Sequence, residues 1–227
     1  MRVLGIATST NFGPKGDELG TSATVLKEIL DLLKGQGHEV ETIYATKLHI
    51  VPNLGCYSTG GKGCADPKSG PYRCWAHHHS MEEPEKYGGE DQMSIVYEGL
   101  EWADVVIFAT GVRWGSHTAT LQTIIERMNT LENRHSVYGE ANPLSGKKCG
   151  VIVTGQHWLS QRVAEQLLDA LGQLGFHAPR EAMFTWQRSN CMRIEQVGSN
   201  VPPVKAYLKS PEGEHQTSSF VDRLFND

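Results

Sequence analysis

The sequence predicts an α/β protein in which a doubly wound, five-stranded parallel sheet forms the middle layer of a three-layer α/β/α sandwich. Short apolar segments alternate along the chain with amphipathic segments at helical spacing, which is the order expected for this architecture. Residues 105–108 are apolar without alternation, as is typical of a strand buried on both faces. With 227 residues, of which 39% are hydrophobic, the chain is long enough to bury the core of one large domain.

The expected elements follow one another from the N-terminus. Strands are predicted at residues 2–8, 38–45, 105–108, 147–154 and 182–186, and helices at 21–34, 93–102, 116–128 and 159–174. Ser116 is expected to cap the third helix, because a serine hydroxyl can accept from the free amides of a first turn. A polar loop is expected over residues 129–145.

The predicted elements form one domain over residues 1–190, with an insertion at about 52–92 and a C-terminal tail at 191–227. The insertion is rich in Gly, Pro, Cys, His and charged residues, and it is too long for an ordinary connection. Its four aromatic residues argue against disorder. In the tail, Phe220 and Leu224 are expected to dock one last helical turn.

Composition excludes several classes of function. The net charge is −5 and the isoelectric point is about 6.1, and no stripe of Lys and Arg is present, so no nucleic-acid partner is expected. No apolar segment reaches the length of a membrane span, and the apolar N-terminus is interpreted as a first strand rather than a signal peptide. Five cysteines, an odd number, favour reduced thiols and a cytoplasmic location.

Polar and glycine-rich segments follow the first, third and fourth predicted strands. In an open parallel sheet, ligands bind in the crevice at the carboxyl ends of the strands. Ser9 follows the first strand, and Thr21 and Ser22 open the first helix, where hydroxyls and free amides can bind an anion. The segment 111–116 follows the third strand. The sequence therefore predicts a ligand site where these segments meet.

These motifs resemble those of flavodoxin-like NAD(P)H-dependent FMN reductases, in particular the branch related to iron-sulfur flavoproteins, over most of residues 1–186. In that family the first strand ends in a Gly-Ser-Pro-Arg type turn, and Gly-Asn-Thr precedes the first helix. Here Thr8-Ser9-Thr10-Asn11 and Gly20-Thr21-Ser22 occupy those places. The resemblance implies that Ser9, Thr21 and Ser22 bind the FMN phosphate. The usual Arg is absent, which leaves Asn11 and Lys15 as substitutes.

The exit of the third strand is similar to the family pattern Pro-Val-Tyr-Trp-Gly-Ser. Four of its six positions match in the segment Gly111-Val112-Arg113-Trp114-Gly115-Ser116. The resemblance implies that backbone amides of residues 112–116 bind the pyrimidine edge of FMN, with Trp114 beside the ring. Thr154-Gly155-Gln156-His157 looks like the glycine-rich exit that borders the flavin. His157 is either a proton donor to a bound acceptor or a loop residue beside the ring. No catalytic residue is assigned.

Arg113 stands where the family has an uncharged aromatic residue. A guanidinium near the flavin would favour its anionic reduced form and raise the reduction potential. Arg113 can equally be a solvated loop residue or a subunit contact.

The insertion contains Cys56, Cys64 and Cys74, followed by the three histidines 77–79. The iron-sulfur relatives carry a compact cysteine cluster in this region, but Thr59 stands where the second cysteine of a Cys-x-x-Cys pair belongs. The spacings fit neither an iron-sulfur motif nor a zinc ribbon. The favoured interpretation is a degenerate site without a metal, and the alternative is zinc bound by mixed Cys and His ligands.

Three functions are compatible with these observations. The first is an enzyme that passes electrons from NADPH or NADH through FMN to a flavin, quinone or similar small-molecule acceptor. The second is a flavodoxin-like electron carrier with a protein partner, and the third is a non-catalytic nucleotide-binding module. The resemblance implies a homo-oligomer, either a dimer or a tetramer, with the insertion as a subunit contact or a lid.

Overall fold

The described part of the chain forms one five-stranded sheet in which all strands are parallel. The computed structural model describes residues 1–9, 19–56, 63–155, 159–188 and 201–226. The strand order is β2-β1-β3-β4-β5, which is the order of flavodoxin-like sheets and confirms the predicted fold class. The strands are β1 (Arg2–Ala7), β2 (Glu39–Tyr44), β3 (Val105–Gly111), β4 (Lys148–Gly155) and β5 (Met183–Gln187).

Eight α-helices surround the sheet in the described part of the chain. They are α1 (Thr21–Gly35), α2 (Trp75–Glu82), α3 (Pro84–Tyr87), α4 (Met93–Trp102), α5 (Ala119–Ser136), α6 (Ser160–Gln173), α7 (Val201–Leu208) and α8 (Pro211–Asn226). Two short 3-10 turns cover Ala45–Lys47 and Pro67–Ser69. Among the described residues, no helix combines the length and the apolar character that a bilayer crossing requires.

The central strand β3 is apolar from Val105 to Ala109 because both of its faces are covered. Val106 and Phe108 point into the cluster formed with α4, α5 and α6. Val105, Ile107 and Ala109 point into the opposite cluster, formed with α1, α7 and α8. The alternation of strand side chains thus divides one continuous apolar segment between two cores, as the sequence predicted.

The C-terminal segment, predicted as a tail with one docking turn, contains two helices that help to cover the sheet. Phe220 and Leu224 of α8 are buried in the same core as the apolar face of α1. A Cβ added at Gly150 of β4 would lie 3.0 Å from the Phe220 ring, so the glycine makes room for that ring. Helix α7 was missed because it has only eight residues and two of them are prolines, and most of α8 because its apolar positions are sparse among polar and charged residues.

Helix α5 begins later and ends later than predicted. Its N-cap is Thr118, whose Oγ1 accepts from the Leu121 amide at 3.3 Å, and the prediction that Ser116 caps this helix was wrong. The helix also extends through Ser136, into the region predicted as a polar loop. Thr130 is buried there, and its hydroxyl donates to the Arg73 carbonyl of the insertion at 2.7 Å. Polar residues of this region therefore face folded protein rather than solvent.

A buried ion pair attaches the insertion to α5. The side chains of Asp91 and Arg127 are 0% and 1% exposed, and two bonds join them, Nη2 to Oδ2 at 2.7 Å and Nη1 to Oδ1 at 3.1 Å. The Val51 amide also donates to Asp91 at 2.9 Å, and His77 Nδ1 lies 3.1 Å from Oδ2. Such a pair is stable only when its remaining hydrogen-bonding groups have partners, and these contacts supply them for the carboxylate.

The pKa of Asp91 follows from this arrangement. Burial alone would raise the pKa of the carboxyl, but hydrogen bonds from His77 and Arg127, with the Arg127 charge, outweigh it and lower the pKa to about 2. The carboxylate therefore contributes stability that is fully present above about pH 4, the ordinary range of an Asp. That contribution is lost as the pH falls towards 2.

Three threonine hydroxyls join β1, β3 and the start of α5. Thr8 donates to the Ala109 carbonyl at 3.0 Å, and Thr118 donates to the Thr8 hydroxyl at 3.0 Å. The Thr110 and Thr118 hydroxyls lie 3.2 Å apart, and the Thr118 amide donates to Thr110 Oγ1 at 3.2 Å. All three side chains are buried. This threonine network holds the ends of two strands against the helix that follows the second of them.

The Asp91→Asn variant should be less stable than the native protein by about 3 kcal/mol at pH 7, because it leaves the buried Arg127 charge without its carboxylate. Urea unfolding measures this, with Asp31→Asn as the control, since Asp31 pairs with Lys27 on the surface and should lose less than about 1 kcal/mol. Between pH 4 and pH 2 the native protein should lose more stability than Asp91→Asn. Equal losses in the two variants at pH 7 would contradict the assignment.

The Thr118→Val variant should lose about 1–2 kcal/mol of stability, because it removes the α5 cap and leaves buried hydroxyls of the threonine network without a partner. Thr123→Val is the matched control, because Thr123 lies on the same helix and its hydroxyl donates to the Ala119 carbonyl one turn earlier. Chemical unfolding of both variants gives the comparison. A control as unstable as Thr118→Val would show that the cost comes from valine in the helix.

Candidate functional site

The exits of β1, β3 and β4 lie side by side at one edge of the sheet. The Thr8 amide donates to the Ala109 carbonyl at 2.9 Å, and the Val112 amide donates to the Thr154 carbonyl at 2.9 Å. These bonds extend the strand ladders to the last residues before the loops. Because the strands are parallel, the segments that follow all leave from the same edge, which is the ligand-binding edge of such sheets.

The first part of the site is the junction of β1 with α1. The hydroxyls of Ser9 and Ser22 are buried and hydrogen-bonded to each other, so the structure brings two of the predicted phosphate ligands together. Thr21 is partly exposed beside them. Asn11 and Lys15, proposed as substitutes for the family's arginine, lie outside the described residues.

The N-terminus of α1 is suited to an anion. Gly20 is the N-cap and has no side chain to offer the first amides, and the first turn contains no acidic residue. The carbonyl of Gly20 is already engaged, since it accepts from the Thr24 amide at 2.8 Å and from the Thr24 hydroxyl at 3.0 Å. Amides at a helix N-terminus point along the axis and carry the positive end of the helix dipole. Together with Thr21 they can bind a phosphate.

The second part of the site is a tight turn after β3. The Arg113 amide donates to the Ser116 carbonyl at 2.7 Å, and the Ser116 amide donates back at 3.0 Å. The two central residues, Trp114 and Gly115, have φ angles of +49° and +81°. Positive φ at both positions is the geometry of a type I′ turn, which is unfavourable for a tryptophan. The Trp114 side chain is fully exposed, so packing does not account for it there.

The same turn determines which backbone amides can reach a ligand. Val112, Arg113 and Ser116 use their amides in the bonds described above. Within the described ranges, the amides of Trp114 and Gly115 have no acceptor, and both lie at the tip of the turn. Of the amides of residues 112–116, which were predicted to bind the flat edge of a ligand, these two are therefore the ones still available among the described residues.

The Arg113 side chain folds back over the end of β3. Its Nη1 donates to the Val112 carbonyl at 3.0 Å, and a Cβ added at Gly111 would lie 3.2 Å from the same nitrogen. The guanidinium is exposed and has no carboxylate partner among the described residues. A positive charge therefore stands at the exit of the central strand.

The third part of the site is the exit of β4. Thr154 is buried and Gly155 ends the strand, whereas Gln156 and His157 lie outside the described residues. Leu159, at the start of α6, has a φ of +65° and packs against the turn, since a Cβ added at Gly115 would lie 3.2 Å from its Cδ1. A groove of about 430 Å³ continues from this point and is lined by Leu159, Ser160, Gln161, Arg162, Glu165, Thr185 and Gln187.

Two residues of this region were not predicted from the sequence. Thr118 had a local signal, because it directly precedes the helical pattern, but Ser116 offered the same signal. Leu159 had none, since its contact with Gly115 exists only once α6 packs against β4 and β5. Positions of this kind are determined by the tertiary structure.

The cysteines of the insertion come together but do not converge on one point. Cys56, Cys64 and Cys74 line a small cavity of about 20 Å³ together with Trp75 and Arg127. Burial raises the pKa of the Cys64 thiol to about 11, and the neighbouring Cys74 and Cys56 add to this, so the thiol is protonated at neutral pH.

Metal ligands of the right type converge elsewhere in the insertion. Over the described ranges, one set of three His, Cys, Asp or Glu residues has its ligand atoms within 4.8 Å of one another, and it consists of His78, His79 and Glu82. The mixed Cys and His zinc site, which was the alternative interpretation, is not formed by these residues. The absence of a metal cluster at the cysteines stays a prediction. Cys149 is buried in β4 and Cys191 lies outside the described residues.

Comparison with solved structures agrees with this architecture. RosB with the bound intermediate 8-demethyl-8-formylriboflavin-5′-phosphate superimposes on all of this chain and 82% of its own, with a TM-score of 0.58 and 17% identity. The apo form of the NADH:FMN oxidoreductase EmoB matches all of this chain and 91% of its own, with a TM-score of 0.53 and 16% identity. At such low identity these similarities establish the fold alone.

Sequence comparison identifies the family. A curated relative, the 8-demethyl-8-aminoriboflavin-5′-phosphate synthase of Streptomyces davaonensis, is 26% identical over 112 residues, which cover 49% of this chain and 43% of that protein. This chain thus matches less than half the length of the relative. The family model described as NADPH-dependent FMN reductase matches residues 1–190, which include all five strands. The chain therefore belongs to the family of NADPH-dependent FMN reductases.

Proposed function

We propose that this protein is an FMN-dependent oxidoreductase that takes hydride from NADPH or NADH and passes the electrons to a flavin, a quinone or a similar small acceptor. The observation that carries the proposal is the convergence of two different sites at one edge of the sheet. The uncapped N-terminus of α1 suits a phosphate, and the amides at the tip of the Arg113–Ser116 turn suit a flat polar edge. FMN has both groups.

The residues around the turn fit a flavin. With a φ of +81° and Leu159 close by, Gly115 has no room for a side chain, so the backbone can approach a planar ring. The exposed indole of Trp114 is available to lie beside that ring and to exclude water from it. When bound, FMN supplies the chemistry of accepting hydride and releasing electrons.

Each part of the chain then has a separate task. Thr21 and the first amides of α1 hold the phosphate, while Ser9 and Ser22 fix the position of that helix end through their mutual hydrogen bond. The amides of Trp114 and Gly115 donate to the pyrimidine edge. The groove that starts at Leu159 provides space for the nicotinamide co-substrate or the acceptor beside the turn.

A second candidate function is that the flavin is the substrate rather than the cofactor. It is favoured by the curated relative, whose name denotes the synthesis of a riboflavin phosphate with an amino group in place of the 8-methyl group. The same phosphate and ring contacts would serve in either case. The mass of the flavin recovered after turnover separates the two functions, because a cofactor is recovered as unmodified FMN.

Other aspects of the function stay predictions. These are the cytoplasmic location, the choice between NADPH and NADH, and assembly into a dimer or a tetramer. The electron-carrier and nucleotide-binding alternatives also remain open to the following experiment.

The anaerobic absorption spectrum of the purified protein tests the proposal. Addition of FMN should give protein-bound flavin bands, and subsequent addition of NADPH or NADH should bleach them, because hydride transfer reduces the ring. Bands that resist bleaching would contradict the reductase function and favour the electron carrier. A protein that binds no FMN would contradict both and leave the non-catalytic module.

The Arg113→Ala variant should bind FMN with a lower reduction potential than the native protein. Loss of a nearby positive charge removes about 1 kcal/mol of stabilisation from the reduced state, or roughly 20 mV for a two-electron couple. Arg113→Lys keeps the charge and is the matched control, so its potential should lie close to the native value. Potentials are measured by anaerobic dye-coupled titration. An unchanged potential in Arg113→Ala would place the guanidinium away from the ring.

A further inference from the structure

The three consecutive histidines of the insertion have different environments because α2 directs them to different sides. His77 is 12% exposed and its Nδ1 lies 3.1 Å from Asp91 Oδ2, so it belongs to the buried ion pair. His78 and His79 are 30% and 28% exposed and face Glu82 of the same helix. One histidine is therefore structural, and the other two share a carboxylate neighbour at the surface.

We propose that His78, His79 and Glu82 form a binding site for a divalent transition-metal ion of the zinc class. His78 Nε2 lies 3.3 Å from Glu82 Oε1, and His79 Nδ1 lies 3.7 Å from Glu82 Oε2. The three ligand atoms are all within 4.8 Å of one another. Around a tetrahedral zinc with bonds of about 2.0–2.1 Å, neighbouring ligand atoms are roughly 3.3 Å apart. Small side-chain rotations therefore complete the site, with water in the remaining position.

The chemistry of the ligands selects the metal. Two imidazoles with one carboxylate suit zinc, copper or nickel, whereas calcium and magnesium require oxygen ligands. Glu83, the next carboxylate along the chain, is engaged by Lys86 at 2.5 Å. The site thus has two nitrogen ligands and one oxygen ligand.

Trp75 positions both imidazole rings. Its ring stacks on His79 with centroids 5.2 Å apart and planes at 27°, and it contacts His78 at 5.3 Å with planes at 79°. Contacts of this kind restrict the rotamers of the two ligands before a metal arrives. Restricted ligands lose less conformational entropy on binding, which strengthens a small surface site.

The bound ion would stabilise a short helix of the insertion. Helix α2 has eight residues, fewer than an isolated helix needs for stability in water. A metal that joins residues 78 and 82 links successive turns of this helix. It therefore acts as a structural ion that favours the folded insertion, and it requires no flavin.

Isothermal titration of zinc into the full chain, without an affinity tag and freed of metal by a chelator, tests this inference. We expect one ion per chain. His78→Gln and Glu82→Gln should each weaken binding by about tenfold or more, because each removes a direct ligand. Two controls should bind zinc as the native protein does. His215→Gln replaces an exposed histidine on α8, and Cys64→Ser alters the cysteine cavity.

Thermal unfolding gives a second measurement on the same variants. Zinc at 100 times its dissociation constant should lower the unfolding constant of the native protein about 100-fold, and the same zinc concentration should have a much smaller effect on Glu82→Gln. Without zinc, the native protein and Glu82→Gln should unfold at similar temperatures, which shows that the variant is folded.

Three results would overturn the inference. They are the absence of zinc binding, undiminished binding in both ligand variants, and loss of binding in Cys64→Ser with binding retained in the histidine and glutamate variants. The last result would assign the ion to the cysteine cavity.

Discussion

Two backbone hydrogen bonds, from Thr8 to Ala109 and from Val112 to Thr154, determine where the candidate site is placed. They continue the parallel ladders to the ends of β1, β3 and β4, so the loops after these strands start at the same level. The threonine network then holds the first turn of α5 against the ends of β1 and β3. The remaining geometry depends on this edge, because both the α1 terminus and the Arg113–Ser116 turn leave from it.

The buried pair of Asp91 and Arg127 has a comparable role on the other side of α5. It joins a polar insertion, which has few apolar residues of its own, to a helix of the central core. Its energetic value lies in the cost of separating the partners rather than in the strength of their attraction, since an unpaired buried charge is highly unfavourable. The insertion is therefore part of the folded domain, and the positions of the cysteine cavity and the histidines on α2 follow from its attachment.

Much of the fold was predictable because local pattern and tertiary environment agree. Four of the five strands lie within one residue of their predicted bounds, and β3 starts as predicted but extends through Gly111. The doubly covered β3 is apolar from Val105 to Ala109, and Gly115 in the turn after it is favoured by a positive φ. In such elements the residue types reflect whether the side chains are buried, so the sequence pattern is sufficient to predict the structure.

The rest was not predictable, because it depends on partners that are distant in sequence. Arg127 lies 36 residues from Asp91, and its place on α5 indicates an exposed side chain unless the insertion packs over it. Helix α7 and the full length of α8 are recognisable only through the core that Val204, Phe220 and Leu224 enter. Similarly, the separate environments of His77 and its two neighbours follow from where α2 docks. Sequence pattern carries little information about such contacts.

The most direct test of the central claim is a crystal structure of the protein grown with FMN. We expect the phosphate at the first amides of α1 and at Thr21, and the pyrimidine edge of the ring within hydrogen-bonding distance of the Trp114 and Gly115 amides. A flavin bound elsewhere, such as in the cavity of about 500 Å³ between α1 and the helices α7 and α8, would contradict the account.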